Sequence, residues 1–269
     1  MTHPMHPTSP ATRRSVLRGT VAAAALAGTA AVPAGAAQAA PAGTAEPADA
    51  KGRSGPAIGI LLFNGYSMLD PTGPAEILSR MPDATVTMIA EQRGPVRTDT
   101  GDVALVAERS LAEVGRLDVL LVSGGGSRGM AEALENQTLL DFIREAHRHT
   151  VWTTSVCSGG LLLAAAGLLK GRKAAVHWAA AEQLEKRFGV TYVSQRYVRS
   201  GKIITSAGVS AGMDMSLYLA SLIAGEDTAR AIQLAVEYDP QPPFDSGNAA
   251  EASDELKRRA LELLSASVV

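Results

Sequence analysis

The stretch Val151-Trp-Thr-Thr-Ser-Val-Cys157-Ser-Gly-Gly-Leu-Leu-Leu163 places a β-rich run before a cysteine, small residues and a helical pattern. This order predicts a strand, a tight turn and a helix. Such a turn would lift the sulfur of Cys157 off the carboxyl edge of a sheet, and N–H groups at the helix start would favour the thiolate. Cys157 is the only cysteine of the chain and a candidate nucleophile. The alternative is a small, buried hydrophobic residue.

Strands and helices alternate on both sides of this turn. Apolar runs predict strands at 57–63, 85–90, 118–122, 151–156, 190–193 and 202–205. Helical periodicity predicts helices at 74–81, 138–149, 158–169, 179–188, 211–224, 228–237 and 251–265. The stretch 95–108 is typical of a hairpin or an irregular crossover. This alternation predicts an α/β fold with a mostly parallel sheet between two helical layers. Ligands bind beyond the carboxyl ends of such strands, where residues 64–70, 124–126 and Cys157 fall.

The composition describes an ordinary globular protein with one main domain. The chain has 269 residues, 46% of them hydrophobic, and a formal net charge of -2. This charge balance argues against a nucleic-acid partner, and no segment after the N-terminal region is long and apolar enough to span a bilayer. The five histidines are scattered without ligand spacing, so no metal site is expected.

The N-terminal region has the pattern of a twin-arginine export signal. Arg13-Arg14 precedes an uncharged, alanine-rich run and the small-x-small pattern Ala37-Gln-Ala39. We expect a signal peptide at 1–40, a flexible linker at 41–55 and the folded domain at 56–269. The protein is then expected to be periplasmic or extracellular, without a stable membrane anchor. An alanine-rich tail without a targeting role is the alternative.

Six motifs of the chain resemble the ThiJ/PfpI superfamily of class I glutamine amidotransferase-like proteins, and within it the isonitrile hydratase branch. They are Ile60-Leu-Leu-Phe-Asn-Gly-Tyr-Ser-Met-Leu-Asp70-Pro-Thr-Gly-Pro-Ala-Glu76, Val122-Ser-Gly-Gly-Gly126, Val156-Cys-Ser-Gly-Gly160, Ala166-Gly-Leu-Leu-Lys-Gly-Arg-Lys-Ala-Ala-Val-His177-Trp178, Ser206-Ala-Gly-Val-Ser-Ala-Gly-Met-Asp214 and Glu237-Tyr-Asp-Pro-Gln-Pro-Pro-Phe244. The resemblance implies a flavodoxin-like, three-layer fold with a nucleophile elbow at Cys157. It also implies a homodimer and a reaction without a cofactor.

The resemblance makes Asp70 the acid that hydrogen-bonds the sulfur of Cys157. A carboxyl group stabilises a neighbouring thiolate only by donating a proton, so the pKa of Asp70 should be raised and the pair should titrate together. Backbone N–H groups of Gly125, Gly126 and Ser158 are the predicted donors to negative charge on the substrate. The alternative for Asp70 is a turn or helix-cap aspartate.

Ser158 and Asp214 are further candidate catalytic residues, and His177 and Glu76 are possible site residues. Asp214 matches an aspartate that the hydratase branch uses at its active site, and helix capping is its alternative. His177 lies where the superfamily often has a histidine near the thiol, although a packed structural histidine is the more common case. Glu76 lies in the first motif. Ser158 stands where protease-like members have histidine, which disfavours peptide hydrolysis and retains the hydroxyl of the hydratase branch.

The leading hypothesis is therefore a cysteine-dependent hydratase or hydrolase that acts on a small electrophile. In its most specific form, Cys157 attacks an isonitrile, Asp70 or Asp214 delivers a proton, and water releases an N-substituted formamide. Glyoxalase or deglycase-like action on reactive carbonyls is the enzymatic alternative. A non-catalytic domain that senses a ligand or an oxidant through Cys157 is the other.

Overall fold

The computed structural model of the protein describes residues 54–265. The predicted export signal at 1–40, and the predicted linker except for its last two residues, lie outside the described residues. The strands are β1 (Ala57–Leu61), β2 (Thr85–Ala90), β3 (Gly94–Arg97), β4 (Ala104–Ala107), β5 (Arg109–Ser110), β6 (Val119–Val122), β7 (Trp152–Ser155), β8 (Lys173–Ala174), β9 (Thr191–Tyr192), β10 (Tyr197–Ser200) and β11 (Ile203–Ser206). The α-helices are α1 (Leu69–Leu78), α2 (Ser127–Glu135), α3 (Gln137–His149), α4 (Gly159–Ala165), α5 (Ala181–Phe188), α6 (Ala211–Ala224), α7 (Glu226–Ala235) and α8 (Asp254–Ser265).

Seven strands form the central sheet in the order β10-β11-β7-β6-β1-β2-β5. All neighbours are parallel except β10 and β11. The inner order β2-β1-β6-β7-β11 is that of a flavodoxin-like fold, in which the chain changes direction across the sheet between β1 and β6. The predicted α/β class is confirmed. The carboxyl ends of β1, β6 and β7 thereby become neighbours, and the three predicted motifs follow those ends.

The two innermost strands, β1 and β6, are apolar throughout because helices cover both faces of the sheet. Every residue of β1 and of β6 is buried, as expected for inner strands of a parallel sheet. Helix α6 packs against α1 and α7, while α2, α3 and α4 pack against one another. None of the residues of α8 is buried. Within residues 54–265, no helix combines the length and the hydrophobicity needed to cross a membrane.

Several local predictions need correction. Residues 191–192 pair with β8 in a separate two-stranded sheet and not with the central sheet. The polar edge strand β10 and helix α2 were not predicted, since neither Tyr-Val-Arg-Ser nor the glycine-containing start of α2 has a clear period. Helix α1 begins at Leu69 and not at residue 74. Asp70 and Pro71 therefore lie in its first turn, where proline is tolerated.

Candidate active site

Cys157 occupies a strained turn between β7 and α4. Its φ is +60°, a left-handed conformation that costs a non-glycine residue about 1–2 kcal/mol. The N–H of Cys157 donates to the carbonyl oxygens of Ala207 and Ser206, at 3.0 and 3.2 Å, at the end of β11. The turn is thus anchored to the neighbouring strand. The residue is only 6% exposed, and it contributes to the lining of a cavity.

Two glycines allow the loops around Cys157 to approach closely. A Cβ on Gly159 would lie 2.4 Å from the carbonyl oxygen of Val122. A Cβ on Gly124 would lie 2.6 Å from the backbone nitrogen of Ser158 and 2.8 Å from Oδ2 of Asp70. Gly124 is therefore the point at which the chain after β6, the elbow and the start of α1 meet, and no other residue fits there without displacement.

Asp70 is completely buried beside the thiol. Its Oδ2 accepts a 2.9 Å hydrogen bond from the N–H of Gly124. Its Oδ1 has no other protein partner within the described part of the chain, and the carboxyl group interacts with the side chain of Cys157. The structure thus brings together the two residues that the resemblance paired, with a free carboxyl oxygen available for the shared proton.

Burial controls the protonation of this pair. Burial raises the pKa of Asp70 to about 7, helped by the negative charge of Asp99 and opposed by hydrogen bonds from Gly124 and Cys157. This is the direction that the sequence predicts. The pKa of Cys157 is also raised, first by burial and then by the charge of Asp70, while hydrogen bonds from Val209 and Ser158 oppose the change. Burial therefore outweighs the expected preference for the thiolate at the helix start. Near neutral pH, Cys157 and Asp70 together hold one or two protons.

A cavity of about 270 Å³ opens over the thiol. Its polar end is formed, around Cys157, by Ser67, Asp99, Ser158 and His177. Apolar side chains form its wall and include Met130, Leu134, Leu161, Val209 and Leu264. Charged and amide side chains, Glu135, Gln183 and Arg187, complete the lining. The cavity therefore suits a small molecule with a reactive polar end and an apolar body.

The predicted oxyanion donors are already hydrogen-bonded. The N–H of Gly125 donates to Oγ of Ser158 at 2.9 Å, and that hydroxyl donates back to the carbonyl oxygen of Gly125 at 3.1 Å. The N–H of Gly126 donates to the carbonyl oxygen of Gly65 at 2.9 Å. The N–H of Ser158 is directed at the sulfur of Cys157, as is that of Val209. Of the three predicted donors, the structure thus places only Ser158 at the reacting atom.

Two of the candidates, Asp214 and Glu76, do not line the cavity. Asp214 lies in the first turn of α6, where Oδ1 accepts a 2.6 Å hydrogen bond from the hydroxyl of Tyr238 and Oδ2 forms an ion pair with Arg196. Glu76 is exposed on α1 and pairs with Arg80 one turn later. Both carboxylates are held by partners that come from outside the predicted site.

His177 does line the cavity, but its ring is held by its surroundings. Its Nδ1 accepts a 3.3 Å hydrogen bond from the N–H of Ala179, which assigns the ring proton to Nε2. The ring also packs tightly against Gly208, where a Cβ would lie 2.4 Å from the ring. Burial lowers the pKa of His177, so the imidazole is neutral and packed at neutral pH.

Three cavity residues were missed by the sequence analysis. In the sequence, Ser67 lies within the first family motif, Asp99 within the predicted hairpin and Val209 within the motif that ends at Asp214, and none of them was assigned a role. Val209 carries a detectable signal only in the structure, since its φ is +25° although it is β-branched. The described residues contain no group of three histidine, cysteine or carboxylate side chains arranged to hold a metal ion.

Comparison with known proteins identifies the family. The family model described as DJ-1/PfpI family matches residues 57–222. The chain belongs to the DJ-1/PfpI family. An isonitrile hydratase of Pseudomonas putida is 41% identical to this member over 207 residues, which cover 76% of this chain and 89% of the relative.

Other proteins that are similar to this chain include a solved structure and a transcriptional regulator. A crystal structure of a ThiJ/PfpI family protein from Pseudomonas syringae is 32% identical, has a TM-score of 0.74 and covers 87% of this chain and 95% of that chain. The HTH-type transcriptional regulator GlxA of Rhizobium meliloti is 27% identical and covers 76% of this chain and 65% of its own length. Family membership therefore fixes the fold, whereas the chemistry has to be argued from the site.

Proposed function

We propose that this DJ-1/PfpI member is a cysteine-dependent hydratase that converts isonitriles to N-substituted formamides. The observation that carries the proposal is the buried Cys157–Asp70 pair at the polar end of an apolar-walled cavity. The 41% identity to an isonitrile hydratase supports it. An isonitrile has one reactive carbon, which suits the polar residues around Cys157, and one organic group, which suits the apolar wall of the cavity.

The pair can supply the proton that the first step requires. The sulfur of Cys157 attacks the terminal carbon of the isonitrile, and the proton shared with Asp70 moves to that carbon. The product is a thioimidate on Cys157. Its carbon forms a single bond to sulfur and a double bond to nitrogen, and no atom is lost in the step. Asp70 is the proton donor in this scheme because Asp214 is held by Tyr238 and Arg196.

Water completes the reaction. Its oxygen adds to the thioimidate carbon, the nitrogen gains a proton, and the carbon–sulfur bond then breaks to release the formamide. The hydroxyl proton of the intermediate returns to the Cys157–Asp70 pair as the carbonyl forms. The cycle is balanced by one isonitrile and one water, and it needs no cofactor.

The test is an assay of the purified protein with cyclohexyl isonitrile, with N-cyclohexylformamide measured by mass spectrometry. We expect turnover by the unaltered chain and none by Cys157→Ala. The matched control is Asp214→Asn, which alters a carboxylate outside the cavity and should retain turnover. Formamide formation no faster than with Cys157→Ala would refute the proposal. Faster consumption of methylglyoxal than of any isonitrile would favour the glyoxalase alternative.

We propose in addition that the protein is exported through its predicted twin-arginine signal and acts as a homodimer. Support for export comes from the Arg13-Arg14 pattern and the order of the segments that follow it. Replacement of both arginines by lysine should retain the protein in the cytoplasm, which cell fractionation would detect. Light scattering of the purified protein would measure its oligomeric state, and a monomer would contradict the homodimer.

A further inference from the structure

The proposed reaction needs a group that activates water, and Cys157 and Asp70 do not provide it. After the first step Cys157 carries the thioimidate, and Asp70 has given up the shared proton and lies buried behind the sulfur. Water must approach from the cavity side. A base for this water therefore has to be an acceptor that lines the cavity and is not committed to the sulfur.

Asp99 is placed for this task. It lies in the loop between β3 and β4 and lines the same cavity as Cys157. Its backbone N–H donates to the carbonyl oxygen of Tyr66 at 2.9 Å. Its Oδ2 accepts from the hydroxyl of Ser67 at 2.9 Å, and its Oδ1 accepts from the N–H of Thr100 at 2.9 Å. The carboxylate is thus fixed, while each oxygen keeps a further lone pair for water.

Asp99 is also electrostatically close to the reacting pair. Its negative charge is one of the causes of the raised pKa of Asp70, which requires that the two carboxyl groups lie within interacting distance. Ser67, which hydrogen-bonds Asp99, lines the cavity as well, and its N–H is fixed to the carbonyl oxygen of Gly124 at 3.0 Å. The cavity is therefore lined both by Cys157, with Asp70 buried beside it, and by the Ser67–Asp99 pair.

The other titratable groups of the cavity are less suited to activate water. His177 uses Nδ1 to accept from Ala179 and carries its proton on Nε2, so neither ring nitrogen is a free acceptor. Arg187 is a cation. Glu135 is an exposed residue at the end of α2, and no hydrogen bond fixes its carboxylate within the described residues. Among the lining residues, Asp99 is the fixed acceptor beside Ser67 at the polar end.

We propose that Asp99 is the general base for the second half of the reaction, with Ser67 as its positioning residue. Asp99 accepts one proton from water as the water oxygen bonds to the thioimidate carbon, and it passes that proton to the imidate nitrogen. Asp99 is ionised again at the end of the step, and no oxidant or reductant is involved. This inference rests on the proposed function and names the residue that the water step requires.

The experiment compares Asp99→Asn with the unaltered protein during reaction with cyclohexyl isonitrile. We expect the variant to form the thioimidate but to hydrolyse it slowly, so turnover falls by about 100-fold or more. Intact-mass spectrometry after rapid quenching should show protein plus one isonitrile in the variant and little adduct in the unaltered chain. Asp102→Asn is the matched control, because Asp102 is an exposed carboxylate of the same loop that does not line the cavity.

A second measurement separates this inference from the identity of the substrate. p-Nitrophenyl acetate acylates reactive thiols, and the burst of nitrophenolate reports acylation of Cys157 while the steady rate reports hydrolysis of the thioester. We expect Asp99→Asn to keep the burst and to lose the steady rate. Equal hydrolysis rates in the variant and the unaltered chain would overturn the role of Asp99, even if isonitriles prove to be substrates.

The remaining outcomes are equally decisive. If the unaltered chain hydrolyses the thioester faster than Asp99→Asn but makes no formamide, the proposed function would be refuted. The role of Asp99 as a general base would still be supported. A folded Asp99→Asn variant that loses the burst as well would overturn the inference, since the base would then serve the first step. An unaltered chain that forms neither adduct would overturn both proposals, because no intermediate would exist for Asp99 to act on.

Discussion

Replacement of Asp70 by asparagine should stabilise the protein above neutral pH. The native state holds the proton of Asp70 with a pKa of about 7, against an ordinary value of 3.8. Between these two values the native state binds more protons than the unfolded state, so the free energy of unfolding falls as pH rises. At about 1.4 kcal/mol per pH unit, ionised Asp70 costs the native state about 4 kcal/mol above pH 7.

The asparagine variant removes this cost without removing the contact to Gly124. Its amide oxygen can accept from the same N–H, and its NH2 group occupies the place of the unpartnered Oδ1. We expect the variant to be more stable than the unaltered chain by up to about 4 kcal/mol at pH 8, and by little at pH 4. The free energy of unfolding of the variant should also depend less on pH in this range.

Urea denaturation at several pH values between 4 and 8 measures this difference. Trp152 and Trp178 are both partly buried, so tryptophan fluorescence reports unfolding, and circular dichroism tests whether the transition is two-state. Asp102→Asn removes an exposed carboxylate and controls for net charge. The argument would be refuted if the difference in the free energy of unfolding between the variant and the unaltered chain were the same at pH 5 and at pH 8. Asp70 would then not carry the extra native-state proton.

Three further predictions concern packing and the cavity. Gly124→Ala should destabilise the protein by about 1–3 kcal/mol and reduce turnover, since its Cβ would clash with backbone. Gly247→Ala is the control, because there is open space around Gly247, and it should change neither quantity. Urea denaturation and activity assays would measure both. Leu264→Ala should raise KM for a bulky isonitrile by about 5-fold, as expected for partial loss of leucine burial, while the more exposed Leu263→Ala should not. Asp214→Asn should lower stability by about 1 kcal/mol or less and leave turnover within about 3-fold, as steady-state kinetics would measure.

The sequence could predict the inner sheet because its strands are buried on both faces. β2 and α6 have the predicted bounds, and the other inner strands differ by one or two residues at their ends. Edge strand β10 lacks this signal, since it is Tyr-Val-Arg-Ser and only partly buried. The start of α1 was hidden by Pro71 and Pro74, which indicate a turn locally although the helix tolerates them.

The site was predictable where chemistry is carried by a motif in the chain, and not where it depends on distant contacts. Cys157 follows β7 and Asp70 follows β1, the two strands on either side of β6, so their motifs fall at one edge of the sheet. The role of Asp99 depends on how the β3–β4 hairpin folds over the cavity, which its local sequence does not encode. The surroundings of Asp214 were not predictable for the same reason, since its partners Arg196 and Tyr238 are 18 and 24 residues away in sequence.

The hydrogen bonds of Gly125 and Gly126 also bear on the choice of electrophile. Attack of a thiol on a carbonyl places negative charge on oxygen, and enzymes stabilise that charge with free, preorganised N–H groups. Here the N–H of Gly125 is bonded to Ser158 and that of Gly126 to Gly65. Attack on an isonitrile generates no oxyanion, because the new charge develops on a carbon that the shared proton of Cys157 and Asp70 can neutralise. The site therefore favours an electrophile that needs a proton, and we expect acylation by p-nitrophenyl acetate, for which the N–H of Ser158 is the remaining predicted donor, to be slower than attack on an isonitrile.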